Sequence, residues 1–286
     1  MKSKYIQLVI LLFLSSFALP SLANEKAKQA VISAYDAISI PGLNIELKAK
    51  LERDRSIPLR RNISKEVLGF YIKDRLIGTV TTDRKGIASL VVAPAYFSRG
   101  IQNYEVKLLN SRSFQARPAT ALVTVWEKDQ RIIVTDIDKT ISDNSSLDVI
   151  RVPYNRQPAF DGARDYLTRM RDDGIGIVYL TAREDVLLQL SKNWLDHLDF
   201  PKGHLYLWDL ALLPSRTPWN HGAYKSLRMK KLKSFFPNIL AAYGDKIHDL
   251  EAYHEHGVPA FFFRSDYNRN EVIPSWAHEF EHWHDL

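Results

Sequence analysis

The chain of 286 residues contains no cysteine. That excludes a disulfide framework, cysteine-ligated zinc or iron–sulfur sites, a thiol nucleophile and a lipid-modified cysteine anchor. Long apolar runs are also scarce. Beyond the first 23 residues, no stretch reaches the roughly 20 apolar residues that a spanning helix needs. There are no internal repeats and no low-complexity tracts. With 12 Gly, 13 Pro, 45% apolar and 25% charged residues, the composition is that of an ordinary globular chain and excludes collagenous, coiled-coil and disordered classes. Excess charge of one sign is small, at 39 Lys and Arg against 33 Asp and Glu. Mild basicity suits anionic small molecules or a membrane surface, and it calls for no nucleic acid. The length predicts about two domains, each able to bury a core.

The exception to the apolar scarcity is the start of the chain. Lys2 and Lys4 precede a 14-residue apolar run from Ile6 to Leu19, followed by Ser21-Leu22-Ala23. A basic head, a short apolar stretch and small residues at the end read as a secretory signal over residues 1–23, cleaved after Ala23. The run is too short for an anchor. The mature protein is therefore expected to be exported, periplasmic or secreted. Without Lys2 and Lys4 it would carry 37 basic against 33 acidic side chains.

Residues 24–42 read as a lead-in helix or linker, and residues 43–128 as an all-β domain. Leu43–Leu51 alternates, and Val67–Ile72, Leu76–Thr82, Ile87–Val92, Tyr104–Leu109 and Thr120–Trp126 are short β-branched and aromatic runs separated by turn signals. Short strands at such spacing predict a sandwich. The stretch from Leu76 to Ala88, with Gly78, Thr82-Asp83 and Gly86-Ile87-Ala88, resembles a hairpin of bacterial immunoglobulin-like domains. From Arg131 the pattern changes. Expected strands at Arg131–Thr135, Ile175–Leu180, Leu205–Leu207, Ile239–Tyr243 and Ala260–Phe263 alternate with expected helices at Gly162–Arg171 (Asp161 as its N-cap), Glu184–Leu198, Lys225–Phe236 and Ile247–Glu255. Such alternation predicts an α/β domain over 129–286, built on a parallel sheet with helices on both faces.

The most informative segment is Ile132-Ile133-Val134-Thr135-Asp136-Ile137-Asp138-Lys139-Thr140, a buried-strand run ending in two acids one residue apart. In an extended segment residues i and i+2 point the same way, so Asp136 and Asp138 would converge at the carboxyl end of a strand, where open α/β sheets bind ligands. Convergent carboxylates are costly unless a cation joins them, and Mg²⁺ is the expected one. Thr181 closes the second strand, Lys225 follows 44 residues later, and Gly244-Asp245 and Asp249 follow the fourth.

This set resembles the haloacid-dehalogenase (HAD) superfamily, whose motifs are D-x-D-x-T, a strand-terminal Ser/Thr, a Lys and G-D-x-x-x-D. The resemblance covers residues 130–265 and implies a Rossmann-like sheet of order 3-2-1-4-5. It also implies Asp136 as the nucleophile that forms an aspartyl-phosphate, and Asp138 as the acid that protonates the leaving oxygen and then activates water. Thr181 and Lys225 would hold phosphoryl oxygens. Mg²⁺ would sit on Asp136, Asp138 (through its backbone carbonyl) and Asp245, with Asp249 as a further ligand. Arg183 would either reach the substrate or brace the acids. The gaps between motifs leave no room for a large cap domain, which favours bulky substrates.

Val178-Tyr179-Leu180-Thr181-Ala182-Arg183, the stretch from Tyr224-Lys225 through Asp245 to Tyr253, and Gly257-Val258-Pro259 are similar to the lipin-type phosphatidate phosphatase domain. The chain departs from that pattern at Lys139, where lipins have Gly, and at Asp245, where they often have Asn. The expected function is that of an exported Mg²⁺-dependent phosphatase acting on a phosphorylated substrate, with phosphatidate and peripheral membrane contact as the leading case. Nucleotides or phosphoproteins are the alternative substrates, and a non-catalytic binding or adhesion module is the alternative class. The apolar loop from Trp208 to Trp219 is expected to pack on the core, or else to form a lip beside the site. His278, His282 and His284 are expected in a surface tail, and His254 and His256 at a helix end.

Overall fold

The computed structural model describes residues 27–55, 60–145, 148–208 and 220–286. The expected signal segment, residues 1–23, and most of the apolar loop lie outside them. Among the described residues no helix is long and apolar enough to cross a membrane.

The first domain is a two-sheet sandwich of ten strands: β1 (Lys28–Tyr35), β2 (Ala37–Ser39), β3 (Ile45–Arg53), β4 (Arg61–Asn62), β5 (Val67–Ile72), β6 (Arg75–Thr81), β7 (Ile87–Val92), β8 (Gly100–Leu109), β9 (Phe114–Ala116) and β10 (Ala119–Val125). One sheet runs β4-β3-β1-β9 with β7 also on β3, and the other runs β2-β10-β8-β5-β6. The inward residues of β3, Ile45, Leu47, Ala49 and Leu51, pack against Leu68, Phe70, Tyr104, Val106 and Val123. Lys50 and Glu52, on the opposite face of β3, are buried too, because that face meets the second domain.

The expected lead-in helix or linker over 24–42 is replaced by β1 and β2. β1 pairs antiparallel with β3 from Ala30↔Arg53 to Tyr35↔Lys48, and β2 pairs parallel with β10. The sandwich therefore begins at Lys28 rather than Leu43. Ala30, Ser33, Ala34, Ala37 and Ser39 dilute the strand signal of Val31, Ile32, Tyr35 and Ile38, so pairing and the burial of Ala30, Ile32 and Ala34 decide its state. Asp36 marks the crossing between sheets, where its Oδ1 accepts the Leu122 N–H at 2.9 Å.

The second domain holds a six-stranded parallel sheet in the order β13-β12-β11-β14-β15-β16. Its strands are β11 (Ile132–Thr135), β12 (Gly176–Glu184), β13 (His204–Trp208), β14 (Ile239–Gly244), β15 (Ala260–Phe263) and β16 (His278–Phe280). Its helices are α1 (Asp148–Arg151), α2 (Ala163–Asp172), α3 (Leu188–His197), α4 (His221–Phe235) and α5 (Ile247–His254). The apolar runs are continuous because helices cover both faces. Ile133, Ile177 and Tyr243 pack with Leu167 and Trp194, from α2 and α3. Ile132, Val134 and Val178 pack with Met229, Leu232 and Leu250, from α4 and α5. Between the domains, Trp126 packs edge-on against Phe236 at 5.9 Å.

Several elements shift from their expected bounds. β12 continues to Glu184, so α3 starts only at Leu188, after a single 3₁₀ turn at Asp185–Leu187. Lys225 lies in the second turn of α4 rather than opening it, and Asn220 caps that helix by accepting the Ala223 N–H at 2.9 Å. Asp161 does not cap α2. Gly162 holds the N-cap position with φ +76°, and Asp161 pairs with His284 at 3.1 Å. His278, His282 and His284 are exposed as expected, but the stretch is ordered rather than a loose tail: His278 lies on edge strand β16, and Trp283 between His282 and His284 is fully buried. A three-residue strand is too short to show periodicity, so parallel pairing with β15 creates it.

Candidate active site

β11 delivers Asp136 to the carboxyl edge of the sheet. The Asp136 N–H donates to the Tyr243 carbonyl of β14 at 2.9 Å, the last rung before the chain turns away. The turn is tight. The Ile137 carbonyl accepts the N–H groups of Thr140, Ile141 and Ser142 at 3.3, 3.1 and 2.9 Å. Lys139 takes φ +57° there, the left-handed region that glycine enters most easily. Its ammonium folds onto Asp143 at 3.1 Å and over the Tyr267 ring at 3.3 Å. The Trp283 indole N–H donates to the Thr140 carbonyl at 3.1 Å and holds the turn from below.

Asp245 ends β14 and Asp249 sits in the first turn of α5. Gly244 permits their approach, since a Cβ there would fall 2.9 Å from that of Asp249. Oxygens of Asp136, Asp245 and Asp249, all buried, lie within 4.8 Å of one another. Lys225, only 1% exposed, enters from α4. Its Nζ stands 3.1 Å from Asp136 Oδ2 and 2.7 Å from Asp249 Oδ1.

Three carboxylates thus crowd around one buried ammonium, and the half-exposed Lys246 adds a second charge 3.2 Å from Asp245 Oδ2. Burial pushes Asp136 up to about 8; Lys225 opposes the rise, and Asp249, Asp245 and Asp138 add to it. Burial, helped by Asp249, pushes Asp245 up to about 6. Burial alone would lower Lys225, but Asp136 and Asp249 outweigh it and hold the ammonium well above its usual range. The shortage of positive charge is what a bound cation would relieve. Among the described residues, Asp136 Oδ1 and Asp249 Oδ2 are buried without a hydrogen-bond donor. Two orphaned oxygens in an all-carboxylate set fit Mg²⁺, and the set lacks the nitrogen and sulfur ligands that zinc prefers.

The Asp138 carboxylate stands apart from this cluster. Arg183 grips it, with Nη2 2.7 Å from Oδ1 and Nε 3.1 Å from both oxygens. The carboxylate is thus held outside the cluster, and the expected route from Asp138 to a metal, its backbone carbonyl, does not depend on it. It also decides between the two roles of Arg183. The Arg183 side chain is fully buried, and its Nη1 donates to Ser191 Oγ on α3 at 3.0 Å, so it braces Asp138 instead of binding substrate. Thr181 lies on β12, beside the turn after β11, because Thr135 pairs with Tyr179 two residues earlier. Its buried hydroxyl oxygen accepts the Arg183 N–H at 3.2 Å.

Two supporting residues escape a reading of motifs. Asn268 Nδ2 donates to the Asp245 carbonyl at 3.1 Å and to the Phe263 carbonyl at 2.9 Å, fixing the backbone beneath Asp245. Ser191 completes the Arg183 brace. Both act across the fold from positions with no local signature. The signal for Asn268 is weak, a lone amide four residues past a strand-terminal Arg264. His254 stacks on Trp276 at 4.0 Å at the end of α5, and His256 lies 3.0 Å from Ser226 Oγ; neither joins the acidic cluster. Trp208 ends β13 and is buried, while the loop beyond it lies outside the described residues.

Residues 133–261 match a family model described as PITM 1-3, LNS2 domain. That interval contains the Asp136, Thr181, Lys225 and Asp245 segments together. The chain is 21% identical over 174 residues to phosphatidate phosphatase PAH1 of Arabidopsis thaliana, a match that covers 55% of this chain and 19% of the relative. The chain thus spans about a fifth of that relative's length. Among solved structures, it is similar to D,D-heptose 1,7-bisphosphate phosphatase of B. bronchiseptica (14% identity, 54% of this chain, 94% of the other, TM-score 0.40). It is also similar to the class C acid phosphatase of Bacillus anthracis (20% identity, 44% and 55%, TM-score 0.36). The sequence matches support a HAD-type phosphatase, with the lipin-like LNS2 pattern carried by the second domain.

Proposed function

We propose that the protein is an exported, Mg²⁺-dependent phosphatase that hydrolyses a phosphate monoester through an aspartyl-phosphate on Asp136, and that the monoester is a membrane lipid such as phosphatidate. The observation that carries this reading is the buried set in which Lys225 bridges Asp136 and Asp249 beside Asp245. Phosphoryl transfer requires positioning and neutralised charge above all, and a carboxylate nucleophile divides hydrolysis into two easier displacements. In the first, an Asp136 oxygen bonds to phosphorus while the ester oxygen leaves with a proton from Asp138. In the second, Asp138 takes a proton from water as that water attacks phosphorus, and phosphate departs from Asp136. Lys225 Nζ and the Thr181 hydroxyl hold the phosphoryl oxygens. Arg183 keeps the Asp138 carboxylate in place between the two steps. Mg²⁺ held by Asp136, Asp245 and Asp249 would supply the positive charge that the cluster lacks and offset that of the phosphoryl oxygens.

Three observations support a lipid substrate. The sequence relative is named as a phosphatidate phosphatase. Among the described residues, only α1, a 3₁₀ turn and α2 lie between β11 and β12, which leaves the mouth open to a bulky partner. The excess of basic residues favours an anionic surface, by about 1 kcal/mol for each well-placed Lys or Arg. Export rests on the basic and apolar pattern of residues 1–23. An immunoglobulin-like front domain is supported by the strand orders β3-β1 and β2-β10-β8-β5-β6. The test compares kcat/KM for phosphatidate in mixed micelles with that for a short-chain soluble analogue, nucleotides and phosphopeptides. Phosphatidate is expected to lead. A tenfold lead for nucleotides or phosphopeptides, about 1.4 kcal/mol of transition-state preference, would overturn the lipid reading.

A further inference from the structure

The sandwich touches the second domain at a revealing place. Asp185 follows β12 directly, two residues after the arginine that grips Asp138 and four after Thr181. Its carboxylate is buried and receives two donors from the first domain on one oxygen. Tyr35 Oη, at the end of β1, donates at 2.6 Å, and Lys50 Nζ, on β3, donates at 2.8 Å. Both donors are themselves held. Tyr35 and Lys48 face one another in the β1–β3 ladder, and the Tyr104 hydroxyl from the other sheet bonds the carbonyls of both, at 2.9 Å for Lys48. Lys50 also lies 3.3 Å from Glu52 Oε1. A second fastening lies one helix further on, where Lys192 Nζ reaches Asp36 Oδ1 at 2.7 Å, next to the Ser191 that bonds Arg183.

The segment from Thr181 to Lys192 is thus held from both sides. On the inner side Arg183 holds Asp138. On the outer side the sandwich holds Asp185 and Lys192. A buried carboxylate stripped of its donors is expensive to keep out of water. Without Tyr35 and Lys50, Asp185 would turn toward solvent, and the two-residue link would carry Arg183 away from Asp138.

We infer that the first domain is a working part of the active site: Tyr35 and Lys50, acting through Asp185, are positioning residues that fix Arg183 and through it the Asp138 carboxylate. The inference rests on the phosphatase reading above for its kinetic readout alone. Asp138 matters most where the leaving oxygen needs a proton, so loosening it should slow an alkyl phosphate more than p-nitrophenyl phosphate, whose leaving group departs without help.

The experiment uses the full chain with Tyr35→Phe, which removes one hydroxyl, and Asp185→Asn as a second variant should either be poorly soluble. Steady-state kinetics are measured on glycerol phosphate and p-nitrophenyl phosphate, together with hydrogen exchange of the whole protein. The expected result is a fall in kcat of about tenfold on the alkyl ester, with KM unchanged and a smaller loss on the aryl ester. Exchange should quicken over residues 181–192 and not across the sandwich core. An equal loss on both esters, unchanged kcat in a folded variant, or exchange that rises throughout both domains overturns the inference. If the wild-type protein hydrolyses neither ester, nor phosphatidate in mixed micelles, the phosphatase reading fails. Hydrogen exchange then decides alone: quickening confined to 181–192 supports the link, and anything else refutes it.

Discussion

Two buried charge clusters lie within one strand's length of each other and are built on different balances. At the site, Asp136 and Asp249 share the buried ammonium of Lys225, Asp245 meets the half-exposed Lys246, and oxygens of Asp136 and Asp249 lack donors. At the domain junction, Asp185 and Glu52 share Lys50, and the Tyr35 hydroxyl adds a second donor to Asp185. The junction comes closer to satisfying its charges, although Glu52 Oε2 is buried there without a donor. The site, with three acids and two such oxygens, retains an electrostatic debt that a cation and a phosphoryl group can settle. Functional sites are where such unfavourable arrangements persist.

The sharpest way to break the comparison is Asp136→Asn. Turnover of any phosphate ester should fall by on the order of 10⁴ or more, since the nucleophile is gone. The same change should raise Tm in chelator. The folded-state value of Asp136, about 8, lies above its unfolded value, so the metal-free fold holds a proton that the unfolded chain releases and loses stability as pH rises between the two; the amide, which does not titrate, removes that cost. A thermal melt in chelator checks the second effect; a lowered Tm would mean that the cluster is as balanced as the junction.

Next in size is Lys225→Met. Removing the buried ammonium that Asp136 and Asp249 share should destabilise the chelated protein by about 3–5 kcal/mol, read by urea unfolding. Added Mg²⁺ should recover part of that loss while activity stays low, because ion binding to the folded state alone raises stability by mass action. In the wild-type protein, chelation should abolish turnover and Mg²⁺ restore it.

The smallest effect concerns His204, on β13 where the sheet edge meets the sandwich. Burial lowers its imidazole to about 3, so the folded protein keeps it neutral. The unfolded chain would protonate it near its ordinary value of about 6.5. Between those values the unfolded state binds more protons, so stability should decline as pH falls from about 6.5 toward 3. His204→Phe should flatten that part of the Tm-versus-pH curve by a few degrees.

The site was readable from the chain because its acids end strands. Apolar runs at Ile132–Thr135 and Ile239–Gly244 stop abruptly at Asp136 and Asp245, and that local transition is visible without the fold. Most helices follow from the alternation of apolar runs and helical segments, while the sheet order comes from the resemblance to the HAD superfamily. What stayed hidden depends on partners far away in sequence. β1 and β2 are strands because β3 and β10 pair with them, and β16 exists because β15 offers an edge. Arg183 left two roles open because a guanidinium beside an acidic site can face either way. Only complete burial against Asp138 and Ser191 decides it. Asn268 and Asp185 act through a backbone carbonyl and a neighbouring domain, and no spacing rule announces either.

The bond from the Trp283 indole to the Thr140 carbonyl spans 143 residues. During synthesis the turn carrying Asp136 and Asp138 emerges long before the tryptophan that buttresses it. At roughly 5–20 residues per second, that interval is on the order of ten seconds. By then the sandwich and strands β11 to β15 have been made, and the acidic turn gains this support only when β16 pairs and Trp283 locks beneath it. A chain stalled before residue 283 would hold Asp136, Asp138, Thr181, Lys225, Asp245 and Asp249 and still lack the turn's buttress.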